Sequence, residues 1–152
     1  MTLPPGDLAV LETQLAQTLL ASTTPARLSY VARDGTPRVV PVWFHWNGNQ
    51  LVFGTSPGSP KLAAIAANPA LAVTIDTIEW PYQALMIRGR GEIEVVEGIV
   101  PEYALSAERY FGVENGRAWI EQISPRYPEM VRLTLTPTWA WLLDYAERPE
   151  PR

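Results

Sequence analysis

The chain has 152 residues, 47% of them hydrophobic and 18% charged. That suffices for one domain with a real core and is too apolar for a disordered segment. Its net charge of −4 argues against nucleic acid as the main partner. The absence of cysteine excludes disulfides, iron–sulfur clusters and thiolate nucleophiles, and a lone histidine, His45, cannot build a histidine metal site.

No apolar run reaches the roughly 18 residues of a membrane span, and the opening "MTLPPGDLAV" lacks the basic stretch of a signal peptide. A cytoplasmic protein is expected. Leu8, Leu11, Leu15 and Leu19 recur at helical spacing after Asp7, so Leu8 to Ala21 reads as one amphipathic helix covering the core. Strand-like runs bounded by turn dipeptides follow: "RLSYVAR", "PRVVPVWFHW" and "QLVFGTS", separated by "DG" and "NGN", in the manner of a β-meander. A short alanine-rich helix ends at Asn68-Pro69. "ALAVTIDT" and "ALMIRGRGEIEVVE" alternate as further strands, the second with Gly89 and Gly91 where a long strand would bend. Helical patterning returns from Pro101 to about Ile123, and "MVRLTLTPTWAWLLD" reads as a strand pair or a strand broken at Pro137. About six antiparallel strands with flanking helices make a barrel with meander or Greek-key connections the economical fold, since closure removes exposed edges.

Lys61 is the odd residue in "TSPGSPKLAAIAANP". Ser59 suits a helix N-cap and Pro60 the first helical position. A cation in the first turn opposes the helix dipole unless an anion lies between them. Thr55, Ser56, Ser59 and Lys61 thus form a corner suited to a phosphate, or else an ordinary capped helix beside a solvated lysine. Pro41 inside "RVVPVWF" marks an edge strand or a place where something else approaches the backbone, and it is expected to leave the backbone of Val40 and Val42 open to a flat ligand. Six tryptophans point to an interface or aromatic surface besides the core, with Trp80 beside Pro81 in a turn and Trp139 and Trp141 on one strand face. Neither a nucleophile elbow nor triad spacing accompanies His45, Ser29 and Asp34, and Glu92, Glu94 and Glu97 read as a solvated face.

Taken in order, "GTPRVVPVWFHWNGNQLVFGTSPGSPKLAAIAANPALAVTID" resembles the pyridoxamine 5′-phosphate oxidase-like family of FMN- or deazaflavin-binding split barrels. The resemblance implies a mainly β protein with added helices, a six-stranded antiparallel split barrel. It forms a single flavin-binding domain over 1–152, with an N-terminal helix over 1–24 and a frayed tail over 149–152. It implies an FMN-binding oxidoreductase passing a hydride or electrons to or from a small substrate. A deazaflavin (F420) reductase, or a non-catalytic flavin- or haem-binding module, is the alternative, and FMN is favoured because few basic residues are available for the acidic tail of F420. By resemblance Val39, Val40, Pro41, Val42 and Trp43 line the isoalloxazine ring, while Thr55, Ser56, Ser59 and Lys61 hold the phosphate. The resemblance further implies a homodimer with flavin sites across the subunit interface, where Gln83 reaches the cofactor from the other subunit and Trp80, Trp139 or Trp141 closes the site in trans. Pro60 stands where many members carry arginine, and the long C-terminal extension of the true oxidases is missing, so a vitamin B6 phosphate is not expected as substrate.

Overall fold

The computed structural model describes residues 3–147; the expected frayed tail over 149–152 lies outside them. Seven strands form one antiparallel sheet: β1 (Ala26–Val31), β2 (Pro37–Val42), β3 (His45–Trp46), β4 (Leu51–Thr55), β5 (Ala70–Asp76), β6 (Gln83–Glu97) and β7 (Glu129–Asp144). The helices are α1 (Gln14–Leu20), α2 (Pro60–Ala67), α3 (Pro101–Phe111) and α4 (Val113–Ile123). No helix among the described residues is long and apolar enough to cross a membrane.

The strand order is β2-β1-β5-β6-β7-β4-β3, so β2 and β3, joined only by Trp43 and Phe44, lie at opposite edges. Laid flat, seven strands would separate those edges by about 29 Å, whereas three peptide links reach at most about 11 Å. The sheet must therefore roll into a barrel that stays split between β2 and β3. The expected run "PRVVPVWFHW" is thus two strands rather than one, which raises the count from six to seven. The simple meander also gives way, because the chain crosses from one edge to the other at Trp43–Phe44 and returns to the middle of the sheet between β4 and β5. Phe44 is fully buried, and Leu28, Leu51, Phe53, Ile75, Leu85, Ile87, Leu133 and Leu135 fill the interior with it. Leu19 and Leu20 of α1 and Ile65 of α2 join the same core.

The single N-terminal helix expected from the leucine spacing is two pieces, a 3-10 turn over Leu8–Glu12 and then α1. Thr13 is extended and caps α1 by accepting from the Ala16 N–H, a local bond that competes with helix continuation. The leucine stripe holds only in part: Leu11 and Leu19 are buried and Leu15 half-buried, while Leu8, in the 3-10 turn, is 41% exposed.

β7 runs unbroken through Pro137, where a break or a strand pair was expected. Arg88 pairs with Trp139 but Gly89 with Pro137, so Thr138 is the extra residue of a bulge that absorbs the proline. The partner position has to be glycine: a Cβ on Gly89 would stand 2.1 Å from the Thr136 carbonyl oxygen. Gly89→Ala is expected to lower stability by roughly 3 kcal/mol, the upper range for a forced overpacking. Gly58→Ala, where an added Cβ meets nothing within 4 Å, should change it by less than about 0.5 kcal/mol. Urea unfolding of the two variants checks both values.

Candidate cofactor site

The corner between β4 and α2 assembles as its residues suggest, with one exchange of partners. The Lys61 ammonium donates to Thr55 Oγ1 at 2.7 Å and to Ser59 Oγ at 3.0 Å. Ser59 occupies the N-cap position, yet its side chain makes no cap bond; its oxygen accepts from lysine instead, since a charge-assisted bond outcompetes a neutral one. Ser56 turns away from lysine and shares a 3.2 Å hydrogen bond with the Tyr127 hydroxyl. Tyr127 follows α4 and lies 71 residues further along the chain, so nothing local in the sequence pointed to it.

Lys61 is half-buried and forms no ion pair among the described residues. Burial holds its ammonium below the ordinary 10.5, because the charged form loses hydration that hydroxyls only partly replace. The result is a cation with hydrogen bonds but no counter-charge, set at the first turn of an eight-residue helix.

The β2 edge differs in detail from expectation. In the hairpin to β1, the Ala32 N–H donates to the Thr36 carbonyl, which fixes the alternation of the ladder. With Val31 opposite Pro37 and Arg27 opposite Pro41, both prolines and Val39 fall on the parity whose backbone faces away from β1. The open backbone groups are therefore those of Val39 and Pro41, while Val40 and Val42 bond to β1 and turn their side chains towards the core. Because neither proline removes a ladder bond, the strand tolerates both.

On the outer face the register aligns Pro41, Arg27, Thr74, Met86 and Trp141 across five strands, and Val39, Ser29, Ala72, Arg88 and Trp139 in the next row. Val39 is 69% exposed. Trp139 and Trp141 meet edge to face at 6.4 Å, and the Arg88 guanidinium lies 3.9 Å over Trp139. Trp43, in the link between the sheet edges, stacks on Tyr110 of α3 at 4.9 Å and on Tyr103 at 5.5 Å.

Gln83 and Trp80 stand apart from the corner. Gln83 pairs with Asp144 and donates to its carboxylate at 3.1 Å, and Trp80, 58% exposed, packs on Tyr82 and Tyr145. Thr55 lies opposite Val131, thirteen residues before Asp144 on β7, so roughly 40 Å of strand separates the two groups. Within one chain the corner and the Gln83 end do not meet.

His45 sits at the β3 edge, while Asp34 accepts from Thr36 and Arg38 in the β1–β2 turn. No triad forms. Glu94, in the alternating acidic run, bonds Arg132 of β7 at 2.9 Å. No three His, Asp or Glu side chains gather to hold a metal ion among the described residues.

The model of the family named Pyridoxamine 5'-phosphate oxidase matches residues 13–144, and the chain belongs to that family. Among solved structures, one titled F420 reductase shares 27% identity, covers 82% of this chain and 94% of its own, and superposes with a TM-score of 0.62. A conserved hypothetical protein from Mycobacterium tuberculosis is 16% identical, covers 100% of this chain and 94% of its own, and gives a TM-score of 0.72. An FAD-binding protein from Mesorhizobium loti is 21% identical, covers 89% and 93%, and gives 0.57. No curated protein matches the sequence.

The lysine's depressed pKa sets a sign for pH dependence. Between the lowered value and 10.5 the unfolded chain holds the proton that the folded chain has released, so stability rises with pH in that window. Measured against Lys61→Met in phosphate-free buffer, the wild type should gain stability as the pH climbs from neutrality towards 10.5. Urea midpoints that move the other way would contradict the burial of an uncompensated cation.

Proposed function

We propose that the chain is a homodimeric oxidoreductase that binds the phosphate end of a flavin-type cofactor at Lys61. The observation that carries this reading is the half-buried lysine whose partners, Thr55 and Ser59, are hydroxyls. A cation taken partly out of water without a counter-ion costs stability, and the start of α2 adds positive potential. An anion completes the corner, and a phosphoryl group takes both the charge and the hydrogen bonds.

When bound, the cofactor supplies the hydride or electron chemistry. The chain's own residues bind and orient it. Lys61, Thr55 and Ser59 hold the phosphate, and the free backbone of Val39 and Pro41 borders the ring along the open edge. The outer rows ending in Trp139 and Trp141, in which Pro41, Val39, Met86 and the two tryptophans stand among Arg27 and Arg88, offer a mixed face to a second copy. That copy brings Gln83 and Trp80, which lie a ribbon's length from the corner in their own chain, to the site of the other. The substrate is a small molecule and the setting cytoplasmic, with no role for nucleic acid.

FMN is the first form of this reading. F420 is the second, favoured by the 27% identity to the F420 reductase. Mass spectrometry of whatever co-purifies distinguishes them. Titration with FMN and with F420 should show Lys61→Ala weakening the preferred cofactor by roughly 10- to 100-fold, the loss of a charge-assisted bond. Equal titration curves for variant and wild type would remove Lys61 from the site. Sedimentation equilibrium should give a dimer at micromolar concentration, and a cofactor-loaded monomer would end the two-subunit site.

A further inference from the structure

A second cation that forms no ion pair among the described residues belongs to α3. Arg109 of α3 donates through Nε to the Ser22 carbonyl at 3.1 Å and through a terminal nitrogen to the Phe44 carbonyl. Both acceptors are neutral backbone groups. The acids of its own helix are already engaged, Glu102 with Arg132 at 2.9 Å and Glu108 with Arg117 at 2.9 Å. Arg109 itself forms no ion pair among the described residues. Two backbone acceptors fix the guanidinium plane, which lies 4.6 Å from the Phe44 ring and 4.9 Å from the Tyr110 ring, and its five N–H donors outnumber those two acceptors.

Arg109 borders a cleft of about 310 Å³ between α1, β3 and α3, together with His45, Trp46, Gln17, Leu20 and Leu105. That volume lies at the lower end of the range of small-ligand sites, about 300–1,000 Å³. Trp46, Leu20 and Leu105 give it apolar walls. Burial, and after it the Arg109 charge, hold the His45 imidazole below its ordinary pKa of 6.5, against a smaller opposite pull from Glu102. At neutral pH His45 is therefore a neutral side chain with one N–H to donate. The cleft thus combines one fixed positive charge, one neutral donor and a flat apolar wall, the complement of a small aromatic or aliphatic carboxylate.

It is separate from the Lys61 corner. Gly54 faces Tyr103 of α3, whereas Leu51 and Phe53 face the core. By strand alternation Thr55 points with Leu51 and Phe53, while Val52, the register partner of His45, points with Gly54. His45 shares the face of Val52 and Trp46 that of Leu51, so the cleft wraps the β3 edge, and none of Thr55, Ser59 and Lys61 is among the residues that line it.

We propose that the cleft between α1, β3 and α3 is a second binding site, for a small apolar carboxylate whose charge is taken by Arg109. Benzoate and its uncharged isostere benzamide are the probes, titrated by ligand-observed NMR into the full chain. Benzoate should bind in the millimolar range, as its few heavy atoms allow, and at least tenfold more tightly than benzamide. Leu105 is 48% exposed at the rim, one helical turn from Arg109. Leu105→Glu places a carboxylate on the guanidinium through an i,i+4 pair that also supports the helix, and should weaken benzoate by at least tenfold more than it weakens benzamide, which loses only the leucine wall. Arg109→Gln should act in the same direction, and Leu105→Glu keeps the test intact if the loss of the Ser22 and Phe44 bonds unfolds that variant. Lys61→Ala should leave benzoate binding unchanged, so failure here is distinct from failure of the cofactor assignment. Equal binding of the two probes, no benzoate binding, indifference to Leu105→Glu, or loss of benzoate binding in Lys61→Ala would each overturn the proposal.

Discussion

Two residues, Trp43 and Phe44, connect strands that the hydrogen-bonding order places at opposite edges of the sheet. A link that short allows only one outcome, a rolled sheet with its edges close but unpaired. The link is anchored from both sides. The Phe44 ring is sealed in the core, while its carbonyl faces α3 and accepts from Ser106 Oγ at 2.9 Å and from Arg109. Ser106 is itself buried, so α3 acts as a clasp over the seam. The Tyr110 hydroxyl adds a bond to the Thr24 carbonyl at 3.2 Å, tying the α1–β1 connection to the same helix. Trp43, stacked on Tyr110 and Tyr103, adds apolar area to the clasp beyond its hydrogen bonds.

Placement of charge follows from that clasp. α3 carries acids that find arginines on β7 and α4: Glu102 with Arg132 holds the helix to the barrel, and Glu108 with Arg117 joins the two arms of the helical hairpin. Gly116 lets α4 approach closely, since a Cβ there would meet the Glu108 backbone at 2.6 Å. Of the cations that form no ion pair among the described residues, Lys61 and Arg109 are the two whose charged groups are held by neutral oxygens in a partly dry setting. Exposed ion pairs elsewhere, such as Arg38 with Asp34, contribute little to stability. A desolvated cation with no acid beside it is a cost to the fold, and a bound anion offsets it.

Strand content, the α2 start and the Thr55–Ser59–Lys61 corner were legible in the sequence because each rests on local chemistry: alternation, a proline at the first helical turn, hydroxyls within a few residues of a lysine. What was hidden depended on tertiary register. Nothing in "PRVVPVWFHW" says that the chain changes edges at Trp43, because both halves carry strand propensity. The free parity of Val39 and Pro41 follows from one hydrogen bond at the Ala32–Thr36 turn, which residue types alone do not set. Pro137 suggested a break because the bulge at Thr138 needs Gly89, nearly fifty residues away, to admit the Thr136 carbonyl. Arg109 gave no signal, since its isolation is defined by which acids other arginines have taken.

Pro37, Val39 and Pro41 are the three positions of β2 whose backbone looks outward, and two of them have no N–H to give. An incoming strand from another molecule would find a single donor along six residues, too few to extend the ladder. The β2 side of the open seam is thus barred to polymerisation. A barrel that never zips shut escapes the usual hazard of an open sheet, runaway edge-to-edge growth in a crowded solution.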